Sequence, residues 1–330
     1  MKNGKENILP VFAPPLSYLS RTTAQLAVGV QNPTLPNWMY TRYIQIDVKE
    51  NGWAFLIDFP PNVHSKDIPR KEIRDRYARF SDYAAEAIDR GRYVFLWTDI
   101  YALSPYASFQ RRHFCHEPLI YGYRDGGRTF CIADFFNFGH TYQFAACSRE
   151  ELDLSVKYYT EYFGDGWPYI AEWQCDSDTV FSFDRQALIR ALTNYRLARD
   201  ERDEPFYGNV AYSIAVYAGI RRLLDSLPER EERQIGHGVY SLLPIHKRFM
   251  RQRLRFLREN RHLAPDPSLD ALLDDLTACC ETVKAVLLKY TLSLKPSLLQ
   301  KSAALLQRAE ELDIRFTDRL IAELQGQPVF

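Results

Sequence analysis

Short apolar runs separated by polar joints fill the first half of this chain, and helical periodicity takes over from Asp184. Tyr93–Thr98, Pro118–Tyr123 and Thr129–Ala133 read as buried strands. The last two flank Arg124-Asp125-Gly126-Gly127-Arg128, a polar, glycine-bearing joint that predicts a hairpin. Trp38–Val48 and Trp53–Phe59 predict a second strand pair joined at Glu50-Asn51-Gly52 and ended by Pro60-Pro61. Between Lys66 and Asp89, residues Ile73, Tyr77, Phe80, Ala84 and Ile88 recur at helical spacing, with Gly91 placed to cap the end. The aromatic run Phe135–Tyr142 is expected to continue the sheet after Asp134. Ser148-Arg149-Glu150-Glu151 opens a helix with a capping box, and Thr179–Phe183 reads as a last strand.

Beyond Asp184 every apolar pattern is helical. Asp184 caps a run with Leu188, Ile189, Leu192 and Tyr195 on one face, followed by a charged linker at Asp200–Glu204. Val210–Leu227, stopped by Pro228, and Pro244–Asn260 predict two more helices. Leu269, Leu272, Leu273, Leu276, Cys280, Val283, Leu287 and Tyr290 mark a long one, and Pro296 separates it from a partner reaching Leu324. The expected architecture is therefore α+β: an antiparallel-sheet domain at 1–183 followed by an all-α helical domain at 184–330.

Composition narrows the function classes. Lys+Arg and Asp+Glu both number 42, so no global charge favours nucleic acid or an acidic membrane surface. Hydrophobic residues make up 46% and aromatics 14%, which suits a packed core and argues against disorder. The six cysteines form no CxxC pair and no His/Cys ligand spacing, so no structural zinc is expected. The opening MKNGKENILPVFAPP lacks a signal-peptide layout, and no apolar run is long enough to span a bilayer. A cytoplasmic protein with reduced thiols is the expectation.

Candidate chemistry concentrates between Asp99 and Asp134. His116 stands just before one strand of the hairpin and Asp134 closes the other, so an antiparallel pairing would bring the two side chains together. A carboxylate orienting an imidazole is the second half of a nucleophile–His–Asp triad. Asp99 is expected to brace the loop after its strand, and His113 and His140 to lie at the surface. Near the N-terminus, Ser20 is a fair cap for a helix with Thr23, Leu26, Ala27 and Val30 on one face. Downstream, His246, Lys247, Arg248, Arg251, Arg253, Arg255, Arg258 and Arg261 make one helix strongly basic. Such a helix could hold a phosphate or dock an acidic protein. The plainer expectation, for all but His246 and Lys247, which could turn inward, is a solvated face paired with the acidic runs Asp200–Glu204 and Glu229–Glu232.

Asp99, Tyr101, Pro105, Tyr106, His116, Gly122, Tyr123 and Asp134, in that order and spacing, resemble the butirosin-biosynthesis acyltransferase N-terminal-like family, which has a papain-like fold. Similarity to proteins encoded beside non-ribosomal peptide synthetases extends to Trp38–Gln45, Tyr207-Gly208 and His246–Met250. The resemblance implies acyl transfer, hydrolysis or cyclisation of a thioester-bound peptidyl or aminoacyl group in antibiotic biosynthesis. It implies no bound cofactor beyond the phosphopantetheine arm of a carrier-protein partner, which would belong to the substrate. His116 and Asp134 would be the catalytic pair. Asp99, Tyr101, Tyr106, Tyr123, Arg21, His246 and Lys247 would contact substrate. The family's cysteine belongs at the start of the first helix, where this chain has Arg21, with Ser20, Thr22 and Thr23 as neighbouring hydroxyls. Ser20 or Thr22 would then be the nucleophile. Cys115 is a poor substitute, because neighbours along a strand face opposite ways. The other reading is a catalytically degenerate module that binds a carrier protein or peptide intermediate.

Overall fold

A computed structural model describes residues 5–49, 54–56, 58–137, 141–164, 166–200, 209–227 and 236–326. Along the chain run β1 (Asn7–Ile8), α1 (Ser20–Gly29), α2 (Leu35–Met39), β2 (Ile46–Lys49), β3 (Ala54–Leu56), β4 (Val63–Pro69), α3 (Arg70–Arg76) and α4 (Phe80–Asp89). Then come β5 (Tyr93–Phe95), β6 (Thr98–Asp99), β7 (Cys115–His116), β8 (Leu119–Arg124), β9 (Thr129–Asp134), β10 (Gln143–Ser148), α5 (Arg149–Phe163) and β11 (Tyr169–Cys175). The remainder is α6 (Arg185–Arg196), β12 (Asn209–Tyr212), α7 (Val216–Ser226), α8 (His237–Glu259), α9 (Pro267–Ser293) and α10 (Pro296–Gly326).

Two compact units result: residues 1–35 with 59–180, and residues 36–58 with 181–330. The first is α+β. Its antiparallel sheet runs β10-β9-β8-β5-β11-β4, with β1 added against β8. The central strands β9, β8, β5 and β11 are covered on both faces and read as largely apolar runs, whereas the edge strands β4 and β10 are mostly exposed. Val94, Ile120, Ile132 and Ile170 point to the face packed by Tyr83, Ala84 and Ile88 of α4 and Leu152 of α5. Tyr93, Phe95, Leu119, Ala133 and Trp173 point to the face packed by Ala24, Ala27 and Val28 of α1. The expected hairpin forms with Arg124 opposite Thr129, and Asp125, Gly126 and Gly127 take φ of 55°, 67° and 80°. Gly122 admits β1: a Cβ there would sit 2.8 Å from the Asn7 carbonyl oxygen and the Ile8 Cα. Gly91 ends α4 at φ 73°, and the Ser148–Glu151 capping box opens α5.

Several expected strands are not strands. Trp38 and Met39 lie in α2, where Pro36 occupies the first turn that tolerates it, and only Ile46–Lys49 extends. The expected turn at 50–52 lies outside the described residues. Lys66–Pro69 belongs to β4, so the helical stretch starts at Arg70 and breaks between α3 and α4. Phe135 and Phe136 turn away from the sheet, which resumes only at Gln143. Thr179–Phe183 forms no strand. Its carbonyls instead receive side-chain amides, Asn32 on Thr179 at 2.7 Å and Asn37 on Phe181 at 2.8 Å.

The second unit departs from the all-helical expectation. Residues 36–58 join it and build a three-stranded sheet, β12-β2-β3, so Asn209–Tyr212 is extended where a helix was expected. α7 packs closely on β12: a Cβ on Gly219 would come 2.4 Å from the Ala211 Cβ. α8 begins at His237 with Pro244 inside it, seven residues before its expected start. α9 and α10 make the expected helical hairpin, with Leu269, Leu273, Leu276, Cys280, Val283, Leu287 and Tyr290 buried and Leu272, at the edge of that face, only half-buried. The α8 arginines pair mainly with α9: Arg248 with Glu281 at 2.9 Å, Arg258 with Asp270 at 2.8 Å, and Arg251 with Asp274. The acidic stretches expected to pair with them, 201–204 and 229–232, lie outside the described residues. Arg253 turns inward, fully buried, and donates to the Tyr40 and Arg42 carbonyls. Burial pulls its pKa down to about 9. Among the described residues no helix is long and apolar enough to cross a membrane.

Candidate functional site

Pairing positions the site in the first unit. Leu119 lies opposite Ala133 at the open end of the β8–β9 hairpin, and Thr98 lies opposite His116 in the β6–β7 pair. That register carries His116 back alongside Asp134, with His116 Nδ1 2.5 Å from Asp134 Oδ2. An ionised carboxylate only accepts, so this contact requires the Nδ1–H tautomer. The Tyr106 hydroxyl donates to the same oxygen at 2.5 Å. Asp134 is fully buried, whereas the His116 side chain keeps 20% of its surface exposed. Asp134 Oδ1 has no hydrogen-bond partner among the described residues. Burial, followed by the Asp134 charge, holds the Tyr106 and Tyr142 hydroxyls well above their ordinary pKa, so both stay protonated at neutral pH. Burial by itself would lower the His116 pKa. The hydrogen bond to Asp134 and that carboxylate's charge outweigh it, and the ring sits above its ordinary value.

Glu117 is the residue that sequence reasoning passed over. Burial pushes its carboxyl up to about 7, and the Asp134 charge adds to the rise, while His116 and Arg21 oppose it. Arg21 therefore belongs to the same electrostatic neighbourhood, carried there by α1, which lies against β9. The signal available was a carboxylate adjoining His116 in an otherwise apolar stretch.

The other expected residues separate into groups. Leu19, and not Ser20, is the N-cap of α1, because Thr23 N–H bonds to the Leu19 carbonyl; Ser20 is the first helical residue. Ser20 is half-buried, Thr22 is 3% exposed, and the buried Thr23 hydroxyl accepts from the Tyr18 amide at 2.9 Å. Asp99 braces its loop as expected, accepting from the Tyr101 and Phe114 amides at 3.0 and 3.1 Å. It also holds His113, whose Nδ1 lies 2.5 Å from Asp99 Oδ2. His113 is more than a surface residue. Its ring stacks between Tyr101 and Tyr162, with centroids 4.2 and 3.6 Å away, in a second His–Asp pair. His140 lies outside the described residues. Tyr123 reaches away to Asp89, donating at 2.7 Å and helping Lys5 secure the N-terminal strand.

His246 and Lys247 belong to the second unit and are fully buried. Lys247 Nζ bonds Asp313 Oδ2, which also accepts from Tyr195 at 2.7 Å and Tyr217 at 2.9 Å. His246 lies beside Tyr195, ring centroids 5.4 Å apart. Burial, then the charges of Lys247 and Arg253, pushes its pKa well below the ordinary value.

No thiol is activated among the described cysteines. Burial pushes Cys115 up to about 12 and Cys175 up to about 11, and it also raises the buried Cys131, Cys147, Cys279 and Cys280. No group of three or more His, Cys, Asp or Glu among the described residues is arranged to hold a metal ion. Chemically, the neighbours His116 and Glu117 offer an oriented imidazole beside a carboxyl that titrates near neutrality. No family model matches the chain, and no curated protein matches it.

Proposed function

We propose that the His116–Asp134 pair is the general-base half of an acyl-transfer site acting on a thioester-bound peptidyl or aminoacyl group. The observation that carries this reading is the geometry of the pair: a buried carboxylate fixed by Tyr106, holding an imidazole that remains partly open to solvent. Ser20, the least buried of the α1 hydroxyls, takes the acyl group. Its oxygen attacks the thioester carbonyl and its proton passes to His116 Nε2. The C–S bond then breaks, and the leaving sulfur takes that proton, giving a seryl ester and a free thiol. An amine or water repeats the sequence on the ester. The first-turn N–H groups of α1, which have no intrahelical acceptors, would receive the developing oxyanion. The resemblance to papain-like acyltransferases supports this substrate class, with a carrier protein's phosphopantetheine as the thiol.

An aminoacyl-S-pantetheine tests the reading. Thiol release and a mass increment on Ser20 are expected, and His116→Ala should slow release about 10²–10⁴-fold. Release that His116→Ala and Ser20→Ala both leave untouched would reject it. One observation favours a second reading, a degenerate module that binds a carrier protein or peptide without turnover. Arg21, at the position the resemblance assigns to cysteine, is near enough for its charge to oppose the rise of the Glu117 carboxyl. Tight binding of the pantetheine thioester without thiol release would select that alternative.

A further inference from the structure

Away from His116, helices α3, α4 and α5 of the first unit surround a hollow of about 490 Å³. It exists because the helical stretch after β4 breaks at Tyr77–Arg79, opening a gap over the β11 residue Ile170. The floor is apolar, built from Phe80, Val156 and Ile170 with Ile73 and Tyr77 beside them. A hollow of this size, with an apolar lining and few polar groups, has the form of a small-molecule site.

Charge around the hollow is one-sided. Arg70, Arg74, Arg79 and Lys157 line it against only Asp153 and Glu161. Asp153 is committed elsewhere, since its two oxygens accept from the Ser81 amide at 2.8 Å and the Ser81 hydroxyl at 2.9 Å. Glu161 meets Lys157 at 3.6 Å, both side chains well exposed, and Arg79 meets Asp82 at 3.3 Å in similar exposure. Solvent-exposed pairs of this kind are weak, so a ligand's carboxylate can compete for the cations. Arg70 is anchored by the Trp167 and Trp97 carbonyls and lies over the Tyr159 ring. A neighbouring hollow of about 460 Å³ shares Ile73 and Tyr77, but its wall groups Tyr83, Arg90 and Glu172 bond to one another. The larger hollow is the amphipathic one.

We propose that this hollow binds a carboxylic acid with an apolar chain, the chain against Phe80, Val156 and Ile170 and the carboxylate between Arg79 and Lys157. The inference is independent of the chemistry at His116. Calorimetric titration of the full chain with octanoate, decanoate and octan-1-ol tests it. Decanoate should bind about fifteenfold tighter than octanoate, from two more buried methylenes at roughly fourfold each. Octan-1-ol should bind at least severalfold more weakly than octanoate. The double variant Arg79→Ala/Lys157→Ala, whose side chains are exposed, should keep the wild-type melting midpoint and lose affinity for both acids but not for the alcohol. Thr160→Trp, which fills the hollow from α5, should abolish binding of all three. No heat from decanoate, equal affinity for alcohol and acid, or wild-type acid affinity in the double variant would each overturn the proposal.

Discussion

In the first unit, Asp134 accepts from Tyr106 and faces the His116 ring; in the second, Asp313 accepts from Tyr195, Tyr217 and Lys247. Both carboxylates are buried, both bond tyrosine hydroxyls that burial keeps protonated, and both face a basic side chain. The difference is access. His116 retains 20% exposure at its strand end, whereas Lys247 and Asp313 are 0% and 1% exposed among α6, α7 and α10. An ion pair sealed in the core acts on packing, while an oriented imidazole left partly open can exchange protons with a ligand. Similar residue chemistry is sealed in one place and open to solvent in the other because of what surrounds it.

The largest expected effect breaks the structural member. Lys247→Met leaves Asp313 charged and uncompensated in the core, and should destabilise the protein by about 3–5 kcal/mol in denaturant unfolding. The double variant Lys247→Met/Asp313→Leu should recover most of that loss. If the single variant instead unfolds like wild type but loses thioester activity, the assignment of the pair to packing is wrong.

Asp134→Asn attacks the other member. It removes the acceptor that fixes the His116 tautomer, so thiol release should fall at least 10²-fold, on the scale of general-base loss, with a smaller change in unfolding midpoint. Activity retained in this variant would separate the His116 ring from the chemistry.

The pH dependence comes next. Glu117 is raised from 4.5 to about 7 in the folded protein, and His116 is raised above 6.5. Each therefore binds its proton more tightly folded than unfolded. Stability should fall as pH rises from about 4.5 to about 7 through Glu117, and fall further as pH passes the folded pKa of His116. Glu117→Gln should flatten the lower part of that slope, as read from chemical-denaturation midpoints across the range. Thioester activity should move the opposite way, rising as His116 loses its proton. An unchanged slope in Glu117→Gln would show that Glu117 is not the group titrating.

The smallest effects sharpen the contrast. Tyr106→Phe and Tyr195→Phe each remove one donor to a buried carboxylate, at about 1–2 kcal/mol of stability. Only Tyr106→Phe should also displace the pH–activity profile, since only its carboxylate touches His116.

Legibility in the sequence followed locality. The β8–β9 hairpin, the Gly91 cap, the Ser148 capping box and the α9–α10 pair were readable because each depends on residues a few positions apart. The His116–Asp134 meeting was readable too, since it follows from antiparallel register across one turn. Trp38–Gln45 and Val210–Tyr212 were misread because their states are set by partners far along the chain. Arg253 draws the Tyr40 and Arg42 carbonyls toward α8, and β2 pairs with β12 across more than 150 residues. Glu117 was missed because its apolar neighbours only hint at burial, and tertiary packing decides whether a glutamate is buried.

What the sequence by itself determined was the α+β character of the first half, the long helices of the second, and the identity of the histidine–aspartate pair. Periodicity and turn chemistry act over a few residues and need no partner. Tertiary structure decided the rest: that residues 36–58 complete the second unit, that Lys247 is sealed inside it, and that Asp99 and His113 form a second pair between tyrosines. Burial governs each of these outcomes. It raises the Glu117 carboxyl to about 7, and it leaves His116 open while closing over Lys247, which sets a candidate site apart from a core.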